Sequence, residues 1–193
     1  WNKRAGIIAD PLNYRSISLP NYDTNLINLA EHLQTDSCLA HIIGAAYENA
    51  DYVSPQTVHP FYYCDTNFVF GHNGTISEIK LLSRDIYKLL EDNIIAQIKG
   101  TTDSELIYAL LMSYLSRKFS PPYSTSEIID GVNFIIHTIQ SIYNQYAIKP
   151  YSPMNLFIAG ANFLIGTRYS FNYGYSQQIY DMNTISLHSL WLT

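Results

Sequence analysis

Apolar positions along the chain switch between two spacings, and the switches divide it into segments. Leu26, Leu29, Ala30 and Leu33 recur at i, i+3, i+4 and i+7, which predicts a helix capped by Asp23 or Thr24 that lays one apolar face on a core. Ahead of it, Trp1 to Pro20 mixes charges with Asp10-Pro11 and Asn13 and reads as an extended arm, with a strand at Tyr14 to Leu19. Ser37 to Ile43 is a compact apolar strand carrying His41, and Tyr47 to Val58, with Pro55, is a polar loop. His59 to Tyr63 and Phe68 to Gly71 read as two strands joined by a turn at Asp65-Thr66-Asn67, an antiparallel pair.

The period then lengthens. Ile79, Leu82, Ile86, Leu89, Leu90, Ile94 and Ile98 keep helical spacing across Ile76 to Ile98, with Gly100 suited to a left-handed position past the end. Thr102-Asp103-Ser104-Glu105 is a capping-box pattern, in which Thr102 accepts from the Glu105 amide while Glu105 reaches back to Thr102. The helix it opens passes through Leu106, Leu110, Met112 and Leu115 to about Lys118, and Pro121-Pro122 breaks the chain. Ser124 with Glu127 is a second capping box, ahead of a long helix through Ile128, Val132, Ile135, Ile136, Ile139 and Ile142. After Pro150 the period returns to two. Asn155 to Ala159 and Phe163 to Tyr169 are strands around a hairpin at Gly160-Ala161-Asn162, and Ile185 to Leu192 is one more. Strands, then helices, then strands predict an α+β fold with mainly antiparallel sheets, as one domain over residues 1–193.

Composition narrows the function. The chain is 47% apolar, which suits one sizeable core. A net charge of −5 with 11 Lys plus Arg leaves no basic stripe for nucleic acid, so a small-molecule substrate is expected instead. Cys38 and Cys64 are too few for a disulfide framework, although one bridge between them stays open, and a reduced cytoplasmic setting is the default. No run approaches the roughly 20 apolar residues that span a bilayer, and the N-terminal apolar run is too short for a secretory signal. Asn73-Gly74-Thr75 matches a glycosylation sequon that would go unused without a secretory route. The six histidines show no paired ligand spacing, so neither metal nor cofactor is expected.

The chemistry concentrates in Asn67 to Ser77, N-F-V-F-G-H-N-G-T-I-S. The aromatic and β-branched run Phe68 to Phe70 favours a buried strand, and it stops at the turn-forming Gly71-His72-Asn73-Gly74. A carboxamide and a glycine amide at a strand tip can converge on one developing negative oxygen and form an oxyanion hole. The same Asn-Gly pair is also the commonest short hairpin turn, and the stretch alone leaves both open. Asp103, early in its helix, would favourably oppose the helix dipole or grip a cation.

Three neighbouring motifs add to this stretch: A-H-I-I-G-A-A at Ala40 to Ala46, H-P-F at His59 to Phe61, and K-G-T-T-D-S-E at Lys99 to Glu105. With F-G-H-N-G-T-I, in this order and spacing, the chain resembles the class II glutamine amidotransferases, which are N-terminal-nucleophile hydrolases. It looks most like the branch of the γ-glutamyl hydrolases of ergothioneine biosynthesis and the glutathione-degrading amidotransferase, nearly end to end. The resemblance implies a four-layer αββα sandwich that this chain covers incompletely at both ends, with Trp1 as the last aromatic of the family's first strand. It implies hydrolysis of the side-chain amide of glutamine or a γ-glutamyl conjugate by a cysteine lying before Trp1, whose own α-amine, with pKa near 8, serves as base. Asn73 and Gly74 would form the oxyanion hole. Asp103 would hold the substrate α-ammonium, with Thr102 and His72 beside it in the binding set, His72 buried behind the turn.

The sequence departs from that family twice. The family's H-[IV]-R segment carries an arginine that clamps the substrate carboxylate, and Ile43 stands there, so Arg15 or Arg168 would have to take its place, or the substrate would differ. Neither Cys38 nor Cys64 has a free α-amine, so the polypeptide from Trp1 to Thr193 alone is not expected to hydrolyse glutamine. The alternative is a catalytically silent binding or scaffold protein. A homodimer or a synthase partner is left open.

Overall fold

The computed structural model describes residues 3–4, 7–8, 11–35, 37–44, 53–63 and 66–172. A two-residue antiparallel pair, β1 (Lys3–Arg4) with β2 (Ile7–Ile8), precedes a 3-10 turn at Pro20–Tyr22 and α1 (Thr24–His32). The central strand is β3 (Phe68–Gly74), followed by α2 (Ile79–Tyr87), α3 (Asp92–Ile95), α4 (Asp103–Lys118) and α5 (Thr125–Gln145). The chain returns through β4 (Tyr151–Gly160), β5 (Leu164–Gly166) and β6 (Ser170–Asn172).

β4 is the sheet's middle strand. It pairs antiparallel with β3 from Phe68↔Gly160 to Gly74↔Met154, and on its other edge with β5 and β6. The Thr167 amide donates to the Leu156 carbonyl at 2.9 Å and the Met154 amide to the Tyr169 carbonyl at 2.8 Å, so the link between β5 and β6 stays on the same edge. Helices cover one face of this sheet. α4 is apolar nearly all round, as a helix inside a core must be, and residues 104–113 are all buried. α5 packs along it at Gly131, where an added Cβ would come within 2.6 Å of Leu111 Cδ1.

Strand alternation decides which residues meet those helices. Phe68 and Phe70 of β3 and Met154, Leu156 and Ile158 of β4 enter the core. Tyr108 of α4 stacks on Phe70 at 5.2 Å and accepts the Tyr63 amide at 3.1 Å, and burial pushes its phenol up to about 12.

Several expectations need correction. Ser37 to Ile43 is not a strand: Leu39 and His41 lie over the face of β3 near Gly71, so the segment does not pair along an edge. His59 to Tyr63 makes a single bridge, Phe61↔Phe70, because the Tyr63 amide turns to Tyr108 instead of continuing the ladder. Tyr14 to Leu19 forms no strand, and the Tyr14 hydroxyl instead donates to Asp23 at 2.8 Å. α1 buries none of its residues; its buried feature is the Asp23 cap, which accepts from the Leu26 amide at 3.0 Å. The expected Ile76 to Ile98 helix is two helices, parted where the Glu91 amide donates to Ser113 Oγ at 3.0 Å, and it ends before Gly100. Thr102 caps α4, but the Glu105 carboxylate accepts the Lys99 and Gly100 amides at 2.9 and 2.6 Å instead of reaching back to Thr102. The Ser124–Glu127 box is complete, and the hairpin closes with the Gly160 amide donating to the Phe163 carbonyl at 3.0 Å. Ile185 to Leu192 lies outside the described residues.

Candidate active site

The C-terminal end of β3 gathers the predicted site residues, and the ladder shows what each can offer. Antiparallel bonding alternates edges every residue. The Thr75 amide donates to the Pro153 carbonyl at 3.1 Å, which places odd residues of β3 in the β4 ladder. The Phe70 amide and carbonyl bond instead to Phe61, at 2.9 and 2.8 Å, on the opposite edge. By the same alternation the Gly74 N–H points away from β4 and stays out of that ladder. No larger residue fits there. Its φ is +158°, and a Cβ would sit 1.9 Å from the Pro153 carbonyl oxygen. Asn73 is exposed, on the sheet face turned away from the helices.

Asp103 is anchored at the same end. Its Oδ2 accepts the Ile76 amide, two residues past Gly74, at 2.8 Å, and its Oδ1 accepts the Ser104 amide at 2.7 Å. Thr102 precedes it as the α4 cap, its hydroxyl accepting the Glu105 amide at 3.2 Å. His72, 2% exposed, faces the helices and shares a 2.9 Å hydrogen bond with Ser104 Oγ. β3 and the start of α4 are thus joined on both sides of Asp103. Burial pushes the His72 imidazole below its ordinary value, with the Asp103 charge pulling the other way, so His72 is held neutral as a buried support.

A second histidine group lies nearer the start of β3. His59 stacks on His41 at 4.2 Å, both its ring nitrogens are buried without a partner, and it is pushed down to about 3, first by burial and then by His41, His72 and Arg15. The Arg15 guanidinium lies 5.5 Å above the Phe61 ring and reaches the Pro55 carbonyl at 3.5 Å. A cavity of about 140 Å³ lined by Leu12, Leu33, Cys38 and Val69 opens at this end as well. Asn73, Gly74 and Asp103 are not among its lining residues. Among the described residues, no cluster of His, Cys, Asp and Glu could hold a metal, and no helix is long and apolar enough to cross a membrane.

No protein-family model matches the chain. It is 32% identical over 107 residues to the Saccharomyces cerevisiae protein named probable glutamine amidotransferase DUG3, a match covering 55% of this chain and 29% of the yeast protein. Its fold matches that of a glutamine aminotransferase class-II domain protein from Silicibacter pomeroyi with a TM-score of 0.60 at 20% identity, over 81% of this chain and 61% of that one. The chain is thus similar in sequence to one glutamine amidotransferase and shares the fold of a class-II domain protein. It spans less than two thirds of either relative's length.

In this amidotransferase frame, Gly74 and Asp103 share one end of β3, and Asn73 projects from the same end on the other face. Ile43 is 57% exposed, and the Arg15 guanidinium is engaged with Phe61 and Pro55. Cys38 is an exposed free thiol, and Cys64 lies outside the described residues. Ser104, expected to support Asp103 through capping, also links the Asp103 segment to His72. Sequence reasoning missed Asn155, which stands on β4 directly opposite Asn73, and only the strand register reveals that.

Proposed function

We propose that this domain hydrolyses the side-chain amide of glutamine or of a γ-glutamyl conjugate. One observation carries the reading: the Gly74 N–H lies out of the β4 ladder beside the Asn73 carboxamide, at the end of β3 where Asp103 is anchored. A cysteine thiolate would attack the amide carbon, and the tetrahedral oxygen would take the negative charge between Asn73 and Gly74. The departing nitrogen would leave protonated as ammonia or an amine, and water would then hydrolyse the thioester to the free γ-carboxylate. Neither Cys38 nor Cys64 has the free α-amine this route uses as base, so the nucleophile is assigned to a cysteine outside residues 1–193. Asp103 would take the substrate ammonium, with Thr102 and His72 holding the segment that presents it. The exposed Cys38 thiol is consistent with a reducing, cytoplasmic setting. The γ-glutamyl form of the substrate, and with it low-molecular-weight thiol metabolism, follows from the likeness of the motifs to the γ-glutamyl hydrolase branch.

The full-length protein tests this directly by release of ammonia from glutamine and of the amine from γ-glutamyl dipeptides. Turnover that Asn73→Ala abolishes supports the reading. A full-length protein that binds these amides without hydrolysing them would instead be a silent binding relative, the alternative that Ile43 favours.

A further inference from the structure

The direction of each hydrogen bond at the start of α4 follows from what its atoms can do. Asp103, as a carboxylate, only accepts. Its Oδ2 takes the Ile76 amide at 2.8 Å, and its Oδ1 takes both the Ser104 amide at 2.7 Å and the Ser104 hydroxyl at 3.3 Å. A hydroxyl has one proton to give. If Ser104 gives it to Asp103, the same Oγ accepts from its other neighbour, His72 Nδ1, at 2.9 Å. The imidazole then carries its proton on Nδ1, and the donors run in one direction, from His72 on β3 through Ser104 to Asp103.

The opposite arrangement satisfies fewer groups. With the proton on Nε2, Ser104 would turn its hydroxyl to Nδ1, Asp103 would lose that bond, and a buried N–H would have no acceptor. Nε2 is buried and bonds to nothing: the Pro153 carbonyl lies on its side of the ring, outside hydrogen-bond geometry. Buried donors without acceptors are rarer than acceptors without donors, so the bare lone pair belongs at Nε2 and the proton at Nδ1. His72 and Ser104 are both buried, which shields the chain of bonds from bulk water.

We propose that Ser104 is a positioning residue of the site: it accepts from the Nδ1–H of His72 and donates to the Asp103 carboxylate, fixing the tautomer of one and the orientation of the other. Which ring nitrogen of a histidine holds the proton is set by the bond the ring makes, and here that bond leads to Asp103. A carboxylate offers about four acceptor positions. The Ile76 amide, the Ser104 amide and the Ser104 hydroxyl occupy three, so Asp103 meets an incoming cation in a fixed direction. What Asp103 then holds rests on the amidase reading above; the tautomer of His72 does not.

Nitrogen NMR of the full-length protein, isotope-labelled at histidine, tests the chain directly, because protonated and bare ring nitrogens resonate apart. Signals are assigned by substituting the histidines one at a time. Near neutral pH, wild-type His72 should be protonated on Nδ1 and bare on Nε2. Ser104→Ala should move the proton to Nε2, and Ser104→Thr, which keeps a hydroxyl, should leave it on Nδ1. Glutamine turnover by the same proteins should show KM raised roughly 3–10-fold in Ser104→Ala, the loss of one hydrogen bond, with kcat changed less and Ser104→Thr close to wild type. A wild-type His72 protonated on Nε2, a tautomer that Ser104→Ala leaves unchanged, or an active Ser104→Ala with wild-type KM overturns the proposal. A tautomer that switches as expected in a wild type that turns over no amide leaves the hydrogen-bond chain standing and removes the amidase reading instead.

Discussion

β3 presents two faces built from alternate residues of one seven-residue strand. Phe68, Phe70 and His72 turn toward α4 and are almost wholly buried, two of them in an aromatic cluster with Tyr108 and the third bonded to Ser104. Val69, Gly71 and Asn73 turn the other way, toward Leu39, His41 and Asn155, and exposure rises from buried Val69 and Gly71 to exposed Asn73. The difference separates two tasks. The helix side rigidifies the strand, and the other side can then present a carboxamide in a fixed place, because a catalytic group is only as well positioned as the element carrying it.

If that separation holds, substitutions on the two faces should fail in different ways. Phe70→Ala should cost about 3–5 kcal/mol of stability, since it empties a fully buried aromatic site, and thermal unfolding should show it at once. Asn73→Ala should leave the melting temperature near wild type while lowering turnover by about 10²–10³, equivalent to roughly 2.7–4 kcal/mol of barrier. An Asn73→Ala protein that melts early with unchanged kcat would erase the distinction between the faces.

Smaller effects sharpen the comparison. His59 is held neutral in the fold with its value near 3 against about 6.5 unfolded, so the unfolded chain binds the extra proton between those values. Its stability contribution is therefore present above about pH 6.5 and is lost as the pH falls below it, by up to about 2 kcal/mol at pH 5. Denaturant titrations from pH 7.5 to 5 should show the slope, and His59→Phe should flatten it by that share while His41 and His72 retain their own. Thr102→Ala, which removes the α4 cap, should cost about 1 kcal/mol and raise KM more than it lowers kcat, because Asp103 begins the helix that Thr102 caps. An unchanged KM would detach Asp103 from ligand binding.

The helices were legible to different degrees for physical reasons. α4 and α5 announced themselves through apolar periodicity together with Thr102, Ser124 and Glu127, since caps and periodicity are local properties of the chain. The α2–α3 break was hidden: its cause is Ser113, twenty-two residues away, meeting the Glu91 amide. The Ser37 to Ile43 segment has the alternation of a strand, with Leu39 and His41 half-buried between exposed neighbours, but alternation cannot tell edge pairing from lying across a sheet face. At the site, Asn73, Gly74 and Asp103 were visible as residue types at strand and helix ends. Asn155 was not visible as the neighbour of Asn73, because it sits inside an apolar strand and only register pairs the two.

The amino-acid sequence by itself determined helices α4 and α5, the Thr102 and Ser124 caps and the likeness to the amidotransferases, all of which depend on near neighbours in the chain. Tertiary structure decided which edge the Gly74 N–H faces, that Asp103 is anchored by the Ile76 amide, and that Asn73 stands opposite Asn155. Those relations depend on strand register, and register is set by packing between segments distant in the chain.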